Sequence, residues 1–135
     1  MIIVDFSQVF LSNLMVSAGS HADLIEPDLI RHMVLNSLRS YRQKFSNQYG
    51  ELVIACDGKQ CWRKDVYPQY KAHRKTDRAS SHLDWPKILN TLDTIRNEIR
   101  DYFPYPVIHL DRVEADDIIG TLVENTRNEK ILILS

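Results

Sequence analysis

The sequence predicts an α/β fold in which a mainly parallel sheet carries helices on both faces. Three observations lead there. Four short apolar runs recur along the chain: Ile2-Ile3-Val4, Leu52-Val53-Ile54-Ala55-Cys56, Val107-Ile108-His109-Leu110 and Ile131-Leu132-Ile133-Leu134. They read as strands buried within a parallel sheet. Longer stretches with apolar residues at helical spacing alternate with them, the order expected when crossover helices join parallel strands. Finally, acids follow the first three runs: Asp5, then Asp57, then Glu114 with Asp116 and Asp117. Residues just past the carboxyl ends of strands in an open sheet converge on one crevice.

Each element can be justified in turn. Residues 1–5 read as a short buried strand. A polar stretch follows, and Pro27 then suits an early helical position. Leu29, Ile30, Met33, Val34, Leu38, Tyr41 and Phe45 repeat at helical spacing. Residues 51–56 make the second strand, ending at Asp57-Gly58. Residues 59–82 are polar and broken by Pro68, and their weak periodicity predicts a mobile helix or loop. Asp84 is placed to cap a helix that carries Trp85, Pro86, Ile88, Leu89, Leu92, Ile95 and Ile99. Pro104 and Pro106 end that helix and lead into a strand at 107–110. Asp111 is placed to cap the next helix, whose apolar side holds Ala115, Ile118, Ile119, Leu122 and Val123. Residues 130–134 make a fourth strand, apolar enough to be buried on both faces. Nothing after Ser135 continues the crossover. The expectation is therefore one Rossmann-like domain over residues 1–135, truncated after its fourth strand and part of a longer architecture.

The bulk numbers exclude other classes. A chain of 135 residues, 44% hydrophobic and 26% charged, suits one soluble globular domain with a real core. No apolar run approaches the ~20 residues needed to span a bilayer, so no membrane partner is expected. No basic region precedes a long apolar stretch at the N-terminus, which argues against a signal peptide and for a cytoplasmic location. Cys56 and Cys61 read as reduced thiols. His21, His32, His73, His82 and His109 show no ligand spacing and read as surface or packing residues.

Two constellations carry chemistry. Asp5, Asp57, Glu114, Asp116 and Asp117 would repel one another in a single crevice unless cations sat between them. Oxygen-only ligands favour Mg²⁺ or Mn²⁺ over zinc. One or two acids of the 111–117 cluster are equally explained as helix caps that complement the dipole. Asp5 and Asp57, at strand ends where burial penalises an unpaired charge, tip the balance toward metal. The second constellation runs from Trp62 to Arg74. Residues 59–78 hold Lys59, Arg63, Lys64, Lys71, Arg74, Lys75 and Arg78 against Asp65 and Asp77, a local balance of +5 in a chain of net charge −1. By charge alone a solvated helix face is the simpler reading. Interleaved aromatic and basic side chains, however, suit stacking on unpaired bases beside phosphate pairing. Trp62 reads as packing on the domain, whereas Tyr70, Lys71 and Arg74 read as nucleic-acid contacts.

The pieces Val4-Asp5-Phe6-Ser7, Ala55-Cys56-Asp57-Gly58, Trp62-Arg63-Lys64, Tyr67-Pro68-Gln69-Tyr70-Lys71-Ala72-His73-Arg74 and Glu114-Ala115-Asp116-Asp117 occur in the order found in the 5′-nuclease family. That family includes flap endonucleases, the 5′-3′ exonuclease domains of bacterial DNA polymerases and phage counterparts. The run from Asp84-Trp85 to Tyr105 is most similar to the phage ribonuclease H branch, and the likeness covers essentially the whole chain. The resemblance implies a PIN-like N-terminal nuclease domain. In it, Asp5, Asp57, Glu114, Asp116 and Asp117 match the first group of metal ligands. Arg63 and Lys71 match basic residues near the scissile phosphate, and Tyr70 matches an aromatic that stacks on a terminal base. Arg63, Lys64, Tyr70, Lys71, Arg74 and Lys75 become the candidates for holding nucleic acid, with 59–82 forming an arch or clamp around a 5′ single strand.

Further expectations follow from the resemblance. They are Mg²⁺ or Mn²⁺, two per complete site and one or fewer here, and hydrolysis of RNA primers and 5′ flaps during DNA replication. Partners would be branched or flapped DNA, RNA–DNA hybrid, a C-terminal nuclease fragment and replication proteins. Family members continue past the fourth strand into an Asp-x-Asp pair that this chain lacks, so it is expected to turn over little alone. A non-catalytic binding module derived from such a nuclease is the main alternative. A phosphoreceiver-like domain would need paired acids after the first strand, where Asp5 stands alone. A PIN-type ribonuclease gives no reason for Tyr70-Lys71 with Arg74.

Overall fold

A computed structural model of the protein describes residues 1–18 and 26–135. Four strands form one parallel sheet: β1 (Ile2–Asp5), β2 (Leu52–Cys56), β3 (Val107–His109) and β4 (Leu132–Leu134), in the spatial order β3-β2-β1-β4. Val4 lies level with Ile54 and Leu134, and Cys56 with His109, so all four carboxyl ends share one rim. The chain builds outward from β1 through β2 to β3 and then crosses back to place β4 on the other side of β1. Such a reversal opens a crevice at the carboxyl rim.

Helices cover both faces. On one side, Ile2, Val4 and Ile54 pack with Phe6, Phe10 and Leu14 of α1 (Phe6–Ala18), Ile30, Val34 and Leu38 of α2 (Pro27–Tyr49), and Ile88, Ile95 and Ile99 of α5 (Trp85–Tyr102). On the other, Ile3 and Ala55 meet Ala115, Ile118 and Ile119 of α6 (Ala115–Asn125). The alternation of Ile2 and Val4 against Ile3 follows from the two-residue side-chain period of a strand. Pro27 does open α2, and Gly50, at φ 87°, ends it with its N–H on Ser46 O at 2.8 Å. Asp84 caps α5 as expected, its Oδ1 accepting from Lys87 N–H at 3.0 Å. A bidentate pair, Arg31 Nε and Nη2 on Glu98 at 2.8 and 3.1 Å, ties α2 to α5.

The structure corrects three expectations. The stretch after β1, read as polar, is helical from Phe6, because β1 runs straight into α1 with Asp5 Oδ1 accepting from Gln8 N–H at 3.2 Å. The cap of α6 is Glu114 and not Asp111, which lies exposed in the preceding turn. β4 is an edge strand with Ile133 47% exposed, so it is not buried on both faces. The basic segment, expected as a mobile helix or loop, contains two short helices, α3 (Arg63–Val66) and α4 (His73–Ser80). Of the histidines, His32, His73 and His82 are exposed, His109 is half-buried with Nε2 3.5 Å from Arg96 Nη1, and His21 lies outside the described residues. Cys56 and Cys61 are unpaired and buried, and burial pushes the Cys56 thiol up to about 12. Among the described residues no helix is long and apolar enough to cross a membrane.

Candidate metal and nucleic-acid site

Asp5 closes β1 at the centre of the sheet and is 8% exposed. Asp57 stands one residue beyond β2, where it ties three elements together. Its Oδ2 accepts from Ser7 Oγ–H at 2.7 Å, and its Oδ1 accepts from Ala115 N–H, at the start of α6, at 2.9 Å. The close approach depends on Gly58, whose N–H bonds Val113 O at 2.7 Å and where any Cβ would run into the carbonyl oxygens of Leu110 and Val113. Asp116, in the first turn of α6, projects to solvent. Burial pushes the Asp5 carboxyl up, the Gln8 N–H opposes it, and the charges of Asp57 and Asp116 add to the rise. The charges of Asp57 and Asp116 thus act on Asp5, and no cationic side chain is hydrogen-bonded to any of the three among the described residues.

Glu114 and Asp117 are in a different situation. Arg63 Nη1 donates to Glu114 Oε2 at 2.9 Å and to Asp117 Oδ2 at 2.8 Å, while Nη2 reaches Asp117 Oδ1 at 2.6 Å. Lys71 Nζ bonds Glu114 Oε1 at 2.7 Å, Tyr70 OH bonds Glu114 Oε2 at 3.0 Å, and Trp62 Nε1 bonds Asp117 Oδ2 at 3.3 Å. The Arg63 guanidinium lies 4.8 Å from the Trp62 ring and 5.8 Å from the Tyr70 ring. Hydrogen bonds from Arg63 hold the Asp117 carboxyl down at about 2, and the same bonds raise Arg63. Burial works against charge on both Glu114 and Lys71. Their mutual bond, helped by Tyr70, outweighs it, so Glu114 is lowered and Lys71 raised. Lys71 adopts φ +53°, a left-handed conformation that is costly for a residue with a Cβ and marks the turn bringing it back onto Glu114.

The five acids therefore form two sets where one was expected. Among the described residues no three His, Cys, Asp or Glu side chains are grouped closely enough to hold an ion as they stand. Arg63 and Lys71 engage Glu114 and Asp117, whereas Asp5, Asp57 and Asp116 have no cationic side chain hydrogen-bonded to them among the described residues. Trp62, expected to pack on the domain, is 44% exposed. With Leu110, Val113, Ile118 and Leu122 it lines an open pocket of about 480 Å³. Tyr70 is half-buried and turned onto Glu114. Lys64, Arg74 and Lys75 are exposed, and none forms an ion pair among the described residues. Ser7 and Cys61 (Sγ 3.9 Å from Arg63 Nη1) belong to the site but were not anticipated. Ser7 had a signal, since it sits two residues beyond Asp5 on the same rim.

The model of the 5′-3′ exonuclease N-terminal, resolvase-like domain matches residues 13–135. Ribonuclease H of Enterobacteria phage T4 is 33% identical over 138 residues, covering 98% of this chain and 45% of that protein. A 5′-3′ exonuclease of Buchnera aphidicola subsp. Baizongia pistaciae (strain Bp) is 33% identical over 106 residues, covering 75% of this chain and 30% of that one. The chain thus spans less than half the length of the curated relatives it matches. Among solved structures, a T5 5′-exonuclease with bound divalent metal ions (zinc) superposes with a TM-score of 0.75 at 16% identity, over 100% of this chain and 48% of its own. A second T5 structure, co-crystallised with metal ions, gives 0.71 at 16% identity over 99% and 47%. At that identity the likeness is one of fold.

Proposed function

Because the chain belongs to the family of 5′-3′ exonuclease N-terminal, resolvase-like domains, we propose that residues 1–135 form the N-terminal part of a divalent-metal-dependent 5′ nuclease acting on RNA primers and 5′ flaps. Residues 59–82 would serve as its strand-gripping arch. One observation carries the reading: Asp5 and Asp57 end neighbouring strands on the carboxyl rim, near enough to Asp116 for its charge to act on Asp5, beside a +5 segment whose Lys64, Arg74 and Lys75 form no ion pair among the described residues.

The donor set suits a hard dication. The three carboxylates offer oxygen alone, and burial and mutual repulsion hold Asp5 ready to gain from a nearby positive charge. Asp5, Asp57 and Asp116 would hold Mg²⁺ or Mn²⁺, joined by Glu114 and Asp117 when these are not engaged by the arch. When bound, such a metal polarises phosphate oxygens and lowers the pKa of water. The protein's own groups do the rest. Arg63 and Lys71 would neutralise charge developing on the phosphate. Tyr70 would offer its ring to a terminal base, and Lys64, Arg74 and Lys75 would follow the strand's backbone.

The test is hydrolysis of a 5′-labelled flap or RNA-primer substrate in Mg²⁺, with the C-terminal portion of a relative supplied. Asp57→Asn should lower the rate by at least about 100-fold, on the scale of losing a group that stabilises a transition state. Undiminished cleavage by that variant removes the metal reading. A second reading, a non-catalytic nucleic-acid or replication-partner binding module, is favoured by the absence of any three-ligand group among the described residues. Mg²⁺-dependent cleavage of a flap by the purified chain would reject it.

A further inference from the structure

The arch is fastened to the rest of the protein by charge and hardly at all by packing. α3 and α4 contain no buried residue. The backbone is anchored at Trp62, whose N–H bonds Arg112 O at 2.9 Å, and the exposed pair of Asp65 with Arg112 braces the same point. Beyond that point, contacts with the acidic rim are polar ones: Tyr70 and Lys71 on Glu114, with Arg63 reaching back to Glu114 and Asp117. Trp62 itself lines an open pocket with Leu110, Val113 and Ile118 and is 44% exposed.

We infer that Arg63 and Lys71 form a counter-ion latch: they occupy the carboxylates of Glu114 and Asp117 in place of a divalent cation, so that cation binding and the closed arch are mutually antagonistic. The inference rests on the proposed reading that the rim takes a divalent metal. Its logic is charge balance. Two cationic side chains cancel two carboxylates, and the neighbouring Asp5, Asp57 and Asp116 have no ion-pair partner among the described residues. A dication drawn to that unmatched charge competes with Arg63 and Lys71 for the remaining two acids. Each bond it takes loosens the arch, which has no buried residue in α3 or α4 and beyond Trp62 is otherwise held by the stack of Arg78 on Trp85. The released guanidinium and ammonium groups are then free for phosphate. Thermodynamic linkage makes the effect reciprocal: the closed latch weakens metal binding by the same factor by which metal weakens the latch.

Mn²⁺ affinity measured by titration calorimetry tests this, together with amide hydrogen exchange of residues 66–80 with and without Mn²⁺. Arg63→Gln and Lys71→Gln should each bind Mn²⁺ roughly tenfold more tightly, within the usual span of coupling between sites. Arg100→Gln, which loses only the distant pair with Asp101, should bind as the unaltered chain does. Mn²⁺ should speed exchange across 66–80 in the unaltered chain, whereas in Lys71→Gln exchange should already be fast and insensitive to metal. Equal or weaker affinity in the two variants overturns the latch and leaves the metal reading standing. So does tighter binding with no change in arch exchange, since that is a local charge effect. If no form binds Mn²⁺, latch and metal reading fall together.

Discussion

Asp5 meets two opposed demands. Its carboxylate must cap α1 through Gln8, yet it is buried and faces the charges of Asp57 and Asp116, so its carboxyl is pushed up. A raised carboxyl means that the folded protein holds the proton more tightly than the unfolded chain does. Stability from this group is therefore gained as pH falls through the folded-state value, and is lacking at neutrality. Asp5→Asn keeps an acceptor for Gln8 and removes the charge. In urea unfolding without metal at pH 7 the variant should be more stable by roughly 0.5–2 kcal/mol, as when a functional site is relieved of strain. The advantage should shrink as the pH is lowered from neutrality toward the ordinary carboxylate value of 3.8, because Asp5 takes up its proton above it. Asp117 has the opposite sign: its contribution is full above the ordinary carboxylate value of 3.8 and is lost as pH falls through about 2. The positions of these acids were readable, because each follows an apolar run or opens a periodic one. Their partners were not. Arg63 and Glu114 are 51 residues apart, and no local spacing encodes a pairing at that distance.

At the scale of elements, the parallel strands were visible because burial on both faces leaves short uninterrupted apolar runs. α2 and α5 were visible because each pairs a helical stripe with an N-terminal signal, Pro27 in one and Asp84 with Pro86 in the other. α1 escaped for a physical reason. Phe6, Val9, Phe10 and Leu14 point into the core while Met15 and Val16 are exposed, so no polar face stands against an apolar one. No turn residue separates it from β1 either. Phe10 is fully buried at the joint of sheet and helices, and Phe10→Ala should cost about 3–5 kcal/mol by chemical denaturation. A loss under 1 kcal/mol would mean that α1 is not part of the core. β4 misled in the other direction, since an apolar composition alone cannot tell a central strand from an edge one.

Across the whole molecule, charge is sorted by region, with acids along the carboxyl rim and cations on the arch beside it. Lys64, Arg74, Lys75 and Arg78 point to solvent. Neutralising on the order of four phosphates with them predicts that affinity for a single-stranded oligonucleotide falls roughly 50-fold between about 50 and 200 mM salt without metal. Anisotropy titrations against salt measure that slope, and a flat line would remove the arch from the interface. The two tryptophans of the chain divide the same territory. Trp85 packs against the core under Arg78, whereas Trp62 shares its indole N–H with Asp117 and its ring with Arg63. Any opening of the entrance strips Trp62 of a quenching carboxylate and a stacked guanidinium, and a lifting of α4 as well would take Arg78 off Trp85. The protein therefore carries a built-in optical gauge, legible in emission wavelength and lifetime without a dye.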